Sequence, residues 1–195
     1  MYHSIIGGFL FRGFLIFCML FSFAFAASSS DDIKQKAIAL YATGNYQEAF
    51  EMFNNLPSGD KDENVFLLMA NISQENGKDN AAIQYLNKAL NKDYTFYKAY
   101  YNLGCIFAKK KSYLLACNNF EFTIKYNKTF APAYYNLACC QMNLKNYDAA
   151  KKNLIKALEL EPQNKDYMYN LIVCYKELNQ LKQAKKLLDS YNSLS

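Results

Sequence analysis

The sequence has no tryptophan, a single histidine, three prolines and seven glycines. Each scarcity removes a class of protein. With so little proline and glycine in a chain that is 52% apolar and 20% charged, collagen-like and low-complexity disordered readings fail. The one histidine, His3, lies in an apolar leader, so the remainder has no imidazole for a Ser-His or Cys-His nucleophile pair or for metal ligation. No glycine-rich loop is present to cradle phosphate, and the cysteines follow no CxxC spacing of the zinc type. Acidic neighbours such as Asp31-Asp32 suit a helix N-terminus better than an acid and base pair. The expectation is a protein that is not an enzyme and that takes no cofactor and no metal.

Residues 1–26 differ from the rest. Arg12 precedes an apolar run from Gly13 to Ala27, and the run closes on Ala24-Phe25-Ala26, small residues where a signal peptidase cuts. Cleavage after Ala26 predicts an exported chain, secreted or periplasmic. The alternative is an uncleaved membrane anchor over residues 5–27, long enough to cross a bilayer if Arg12 reaches back to the surface. Membrane contact is expected only in that second case. Without the leader, 21 lysines stand against 17 acidic residues, a net charge of +4. Lys109-Lys110-Lys111, Lys151-Lys152 and Lys185-Lys186 are separated by acids rather than gathered into one stripe, so solvated helix faces explain them and nucleic acid is not expected as a partner.

A phrase recurs. "YYNLGCIF" begins at Tyr100, "YYNLACCQ" at Tyr134 and "YNLIVCY" at Tyr169, which places Tyr101, Tyr135 and Tyr169 in register. Repeats of this length are read before anything else because they decide the fold. Ala49, Ala82, Ala116, Ala150 and Ala184 form a second column, and Ala37, Ala70, Gly104, Ala138 and Ile172 a third, both mostly small. Helices approach closely where small side chains face each other, so the two columns predict the crossing point of a helical hairpin. Between them lie Gly44, Gly77, Lys111, Lys145 and Asn179, in the place of a left-handed helix cap. Phe53, Leu86, Phe120, Leu154 and Leu188 are expected to fill the core on the second helix. The hairpins predicted over the array, 27–195, run about 30–62, 63–96, 97–130, 131–164 and 165–195. Lys36 stands where other hairpins have Met69, Leu103, Leu137 and Leu171, and Asn192 follows Leu90, Ile124 and Leu158, so both ends of the array are expected to carry a polar cap.

These columns resemble the tetratricopeptide repeat (TPR), whose hairpin carries an aromatic residue, a Leu-Gly pair, a Tyr and then Ala, Phe, Ala and Pro. "YYNLGCIF...YLLACNNFEFTI" and "YYNLACC...NYDAAKKNLIKALELEP" carry the resemblance most fully. It implies an all-α fold, a right-handed α-solenoid of about five hairpins, and a scaffold that binds a protein or peptide partner.

The first helices of such an array line its concave side. There the expected columns are Lys34, Leu67, Tyr101, Tyr135 and Tyr169, and beside them Gln35, Leu68, Asn102, Asn136 and Asn170. The three asparagines form a ladder of amides suited to an extended peptide backbone, as in some members of the resembled family, and the tyrosines supply stiff contact area. The competing reading has each Asn bonded to a neighbouring helix and each Tyr packed. Tyr101, Cys105, Asn136, Asp166 and Asn170 stand where family members that clamp a C-terminal carboxylate carry basic residues, which disfavours that ligand. Two other uses stay open: a subunit that assembles with copies of itself, its oligomeric state unread here, and a glycan binder stacking sugars on the Tyr column. Cys105, Cys117, Cys139, Cys140 and Cys174 are read as small core residues. Asn71-Ile72-Ser73 and Asn127-Lys128-Thr129 match the glycosylation acceptor, the first of them inside a predicted helix.

Overall fold

The computed structural model describes residues 29–194, so the signal or anchor reading of residues 1–26 lies outside the described residues. Ten α-helices and no strand occur among those described. They fall into two compact units that divide after Asp60.

The first unit holds α1 (Ser30–Ala42) and α2 (Tyr46–Asn55). Ser29 caps α1 through a capping box. Its Oγ accepts from the Asp32 amide at 3.1 Å, and the Asp32 carboxylate accepts from the Ser29 amide at 3.1 Å. Ala37, Ala49 and Phe53 are fully buried, while Lys36 is exposed.

The second unit holds four hairpins: α3 (Glu63–Glu75) with α4 (Asp79–Lys92), α5 (Tyr97–Lys109) with α6 (Tyr113–Tyr126), α7 (Ala131–Asn143) with α8 (Tyr147–Leu160), and α9 (Lys165–Glu177) with α10 (Leu181–Ser193). Within this unit each helix packs on its sequence neighbours, and α7 also touches α5 and α9 directly. First helices therefore lie side by side on one face of this unit. Leu137 and Cys140 of α7 pack into the α6 residues Ala116, Cys117 and Phe120. One repeat later, Leu171 and Cys174 of α9 pack with Ala138, Ala150 and Leu154. The tetratricopeptide-like solenoid is thus built from one interface used repeatedly.

Turn chemistry follows the column read from the sequence. Gly44 and Gly77 adopt φ of 82° and 69°, and Lys111, Lys145 and Asn179 adopt 59°, 60° and 54°. Each of the five takes the left-handed conformation that ends a first helix, including the two lysines that carry its Cβ penalty. Helix crossing is close at Gly104. A Cβ there would lie 2.6 Å from the fully buried Phe120 ring, so the glycine accommodates an aromatic as well as a helix.

One core expectation is corrected. Leu188 was expected to fill the core like Leu154, yet it is 39% exposed. Leu154 is covered by Leu171 and Cys174 of the next helix, whereas no later helix among the described residues lies over α10. Leu187, one position earlier, packs on the core instead.

Candidate peptide-binding face

The repeated phrase builds a repeated bond. Asn136 of α7 donates its Nδ2 to the Tyr101 hydroxyl of α5 at 3.0 Å, and Asn170 of α9 donates to the Tyr135 hydroxyl of α7 at 2.9 Å. The same nitrogens lie 3.9 and 3.8 Å from the Cys105 and Cys139 sulfurs. Tyr and Cys stand four residues apart on one helix face, which is why a single carboxamide from the next hairpin reaches both. In the preceding pair of helices the column reads Asn71 instead of Cys, and Asn102 donates to its Oδ1 at 2.8 Å. A continuous line of side-chain bonds thus ties α3 to α5, α5 to α7 and α7 to α9.

The tyrosine rings are held as well. Tyr101 meets Phe130 edge to face at 5.0 Å between centroids, and Tyr135 stacks on Tyr167 at 4.7 Å. Burial, and behind it the nearby Cys105, pushes the Tyr101 phenol up to about 12. Tyr135 rises to about 12 for the same reasons, with Cys139 in the role of Cys105. Burial also raises the Cys105 thiol to about 11 and shifts Cys139 upward. All four groups are protonated at neutral pH, so the thiols are hydrogen-bonding partners rather than nucleophiles.

Of the six residues singled out in the sequence, the structure ties Tyr101, Asn136, Tyr135 and Asn170 into this line and joins Asn102 to Asn71. Tyr169 differs. No asparagine among the described residues reaches it, and it is 59% exposed. The asparagine donors therefore point back along the array, while the Oδ1 atoms of Asn136 and Asn170 accept no bond from the described residues. Because no buried side-chain oxygen lacks a partner, these two carbonyls are reached by solvent.

Beside Asn136 lies a pocket of about 370 Å³, lined by Cys105, Ala108, Tyr113, Phe120, Cys139, Cys140 and Asn143. No ionised side chain is among them. Sequence reading missed the pocket and took its cysteines as filler. The signal available was the i, i+4 spacing from Tyr101 to Cys105 and from Tyr135 to Cys139, which places each sulfur on the tyrosine face. Asn71 was missed as a structural partner because it interrupts the Cys column. Cys117 and Cys140 also meet, across α6 and α7, a neighbourhood invisible from columns that align each cysteine with its own repeat image. The five cysteines among the described residues are free thiols. Among the described residues no group of three or more His, Cys, Asp or Glu is placed to hold a metal ion, and no helix is long and apolar enough to cross a membrane.

Known proteins place this geometry. Sequence models of the tetratricopeptide repeat match residues 64–91 and 145–193. No curated protein matches the sequence. Among solved structures, a MamA RS-1 ArsTM double mutant superposes with a TM-score of 0.76 at 20% identity, covering 85% of this chain and 93% of that one. A crystal structure of MamA protein gives 0.76 at 19% identity over 86% and 92%. MamA AMB-1 gives 0.73 at 19% over 85% and 91%. At such identities the likeness is one of fold. Repeat models on two separate stretches, an all-helical architecture and left-handed turns at a fixed place in every described hairpin agree: the chain carries tetratricopeptide repeats and has their all-α fold.

Proposed function

We propose that the chain is an exported, non-catalytic scaffold that holds an extended segment of a partner protein along the face formed by α3, α5, α7 and α9. The observation that carries this reading is the pair of open Oδ1 atoms on Asn136 and Asn170, held in register by their bonds to Tyr101 and Tyr135. Successive carbonyl acceptors suit the N–H groups of an extended backbone and ask nothing of its side chains. The uncharged pocket beside Asn136 then seats one apolar side chain of that segment, and Tyr169 offers an aromatic surface with no bond to break. The amide donors of Asn136 and Asn170 are committed to the array, so the ladder works through its oxygens.

Export is supported by Arg12, the apolar run behind it and Ala24-Phe25-Ala26. Intact-mass measurement of the exported protein is expected to place the N-terminus at Ala27. Full-length chain that stays in carbonate-washed membranes would instead make it a tethered scaffold.

Site-specific crosslinking in the native host tests the face without disturbing the fold. A photoreactive phenylalanine analogue replaces Tyr169, or, as a control, the exposed Leu115 on the second helix of its hairpin. Adducts to another protein from position 169 and none from 115 are expected. Adducts from 115 alone would move the partner to the other face. An adduct of two copies of this chain would turn the reading to self-assembly.

A further inference from the structure

We propose that Asn127 is an acceptor for asparagine-linked glycosylation and that Asn71, the other match to the acceptor pattern, is not. The chemistry needs a carboxamide nitrogen that is free to react and a hydroxyl two residues later, on accessible backbone. Only one of the two motifs has both.

Asn127 follows α6 in extended backbone, at φ −140° and ψ 95°, in the loop leading to α7. Its Oδ1 accepts from the Thr129 amide at 3.2 Å and from the Thr129 hydroxyl at 3.0 Å. The side chain is therefore fixed through its oxygen. Its Nδ2 donates to no group among the described residues, and Lys128 and Thr129 are exposed.

The turn does not itself require an amide. One repeat earlier, Asp93-Tyr94-Thr95 makes the same turn, with the Asp93 carboxylate accepting from the Thr95 amide at 2.8 Å and its hydroxyl at 2.6 Å. A carboxylate suffices there, so what Asn127 adds to the loop is a nitrogen.

Asn71 fails on its backbone and on its hydroxyl. It lies inside α3, and its Oδ1 accepts from Asn102 at the contact with α5. Ser73 is 4% exposed and its hydroxyl donates to the Met69 carbonyl at 2.8 Å. A glycan there would separate two packed helices.

In the transfer, the Asn127 Nδ2 forms a bond to C1 of the first sugar of a lipid-diphosphate-linked oligosaccharide. The bond from C1 to the diphosphate oxygen breaks, its electron pair leaves on the diphosphate, and Nδ2 gives up one proton. Nothing is oxidised or reduced.

The test uses the purified, folded full chain with a single-subunit oligosaccharyltransferase and a lipid-diphosphate-linked disaccharide, so that it does not depend on export. Intact mass is expected to rise by one disaccharide, and peptide mapping to place it on Asn127. Asn127→Asp, which Asp93 shows to be compatible with the turn, is expected to abolish the gain, as is Thr129→Ala. Thr129→Ser and Asn71→Gln are expected to keep it. Modification of the heat-denatured chain but not of the folded one would overturn the proposal, because the folded loop would then be incompetent. Sugar on Asn71, or no transfer to either form, would overturn it equally.

Discussion

Asn170 and Tyr135, 35 positions apart, meet at 2.9 Å, and Asn136 and Tyr101 repeat the same bond at 3.0 Å with the same separation. In Tyr135→Phe the ring stacking is kept while the hydroxyl acceptor is lost, leaving a part-buried amide donor with only the Cys139 sulfur at 3.8 Å. We expect a loss of about 1 kcal/mol in urea unfolding, the usual worth of one such bond. Tyr169→Phe, whose hydroxyl has no partner in a later hairpin, is expected to stay within about 0.5 kcal/mol of the parent. Equal effects from the two would mean that the bond does not contribute to stability.

Gly104 faces Phe120 so closely that even one methyl group collides. Gly104→Ala is expected to destabilise the chain by about 1 to 3 kcal/mol, the range for overpacking a filled core. The next hairpin pairs Ala138 with Leu154 in one core cluster, so adding Phe120→Leu to Gly104→Ala should recover part of the loss. Thermal melts of the parent, both single variants and the double variant form the cycle, and strict additivity would contradict a direct collision.

The left-handed turns predict opposite signs for opposite exchanges. Lys111→Gly removes a Cβ from a backbone at φ 59°, and its melting point should rise. Gly77→Ala introduces one at φ 69°, where nothing lies within 4 Å of the new atom, so its melting point should fall for conformational reasons alone. The penalty for an L-residue in this conformation is about 1 to 2 kcal/mol, partly offset in Lys111→Gly by the greater freedom of an unfolded glycine.

Alkaline pH should weaken the fold. Burial raises the Cys140 thiol from 9.0 to about 12, and Cys105 and Cys174 each to about 11. The folded chain then holds protons that the unfolded chain releases from about pH 9. Its stabilising contribution is complete below that pH and is lost as pH rises towards 12. Urea midpoints measured from pH 8.5 upward should fall, and Cys140→Ala should fall less steeply than the parent. Parallel curves would assign the loss to other groups.

Much of the fold was legible because a tetratricopeptide hairpin writes its packing into fixed columns. The Ala116 and Ala150 crossings and the Lys111 and Lys145 turns need only register to be placed. Leu188 was misread because a column records what a position does when another hairpin covers it, and α10 has no such cover among the described residues. The face was legible in its residues but not in their bonding. Asn136 and Tyr101 stood out as neighbours in repeating phrases, yet their bond joins different repeats, and only the offset between adjacent helices shows which asparagine reaches which tyrosine. The pocket beside them was illegible for the same reason, since Cys105, Tyr113 and Asn143 come from three helices.

Each middle hairpin contributes an asparagine that reaches back and a tyrosine that reaches forward. A duplicated 34-residue unit inserted between α6 and α7 would bring both halves with it: its asparagine would find Tyr101, and its tyrosine would receive Asn136. Lengthening by whole units orphans no donor, whereas an insertion of any other length there shifts Asn136 off the Tyr101 phenol, although Asn170 and Tyr135, both beyond it, keep their bond. The bond thus acts as a length gauge, permitting growth of the array only in increments of one complete copy.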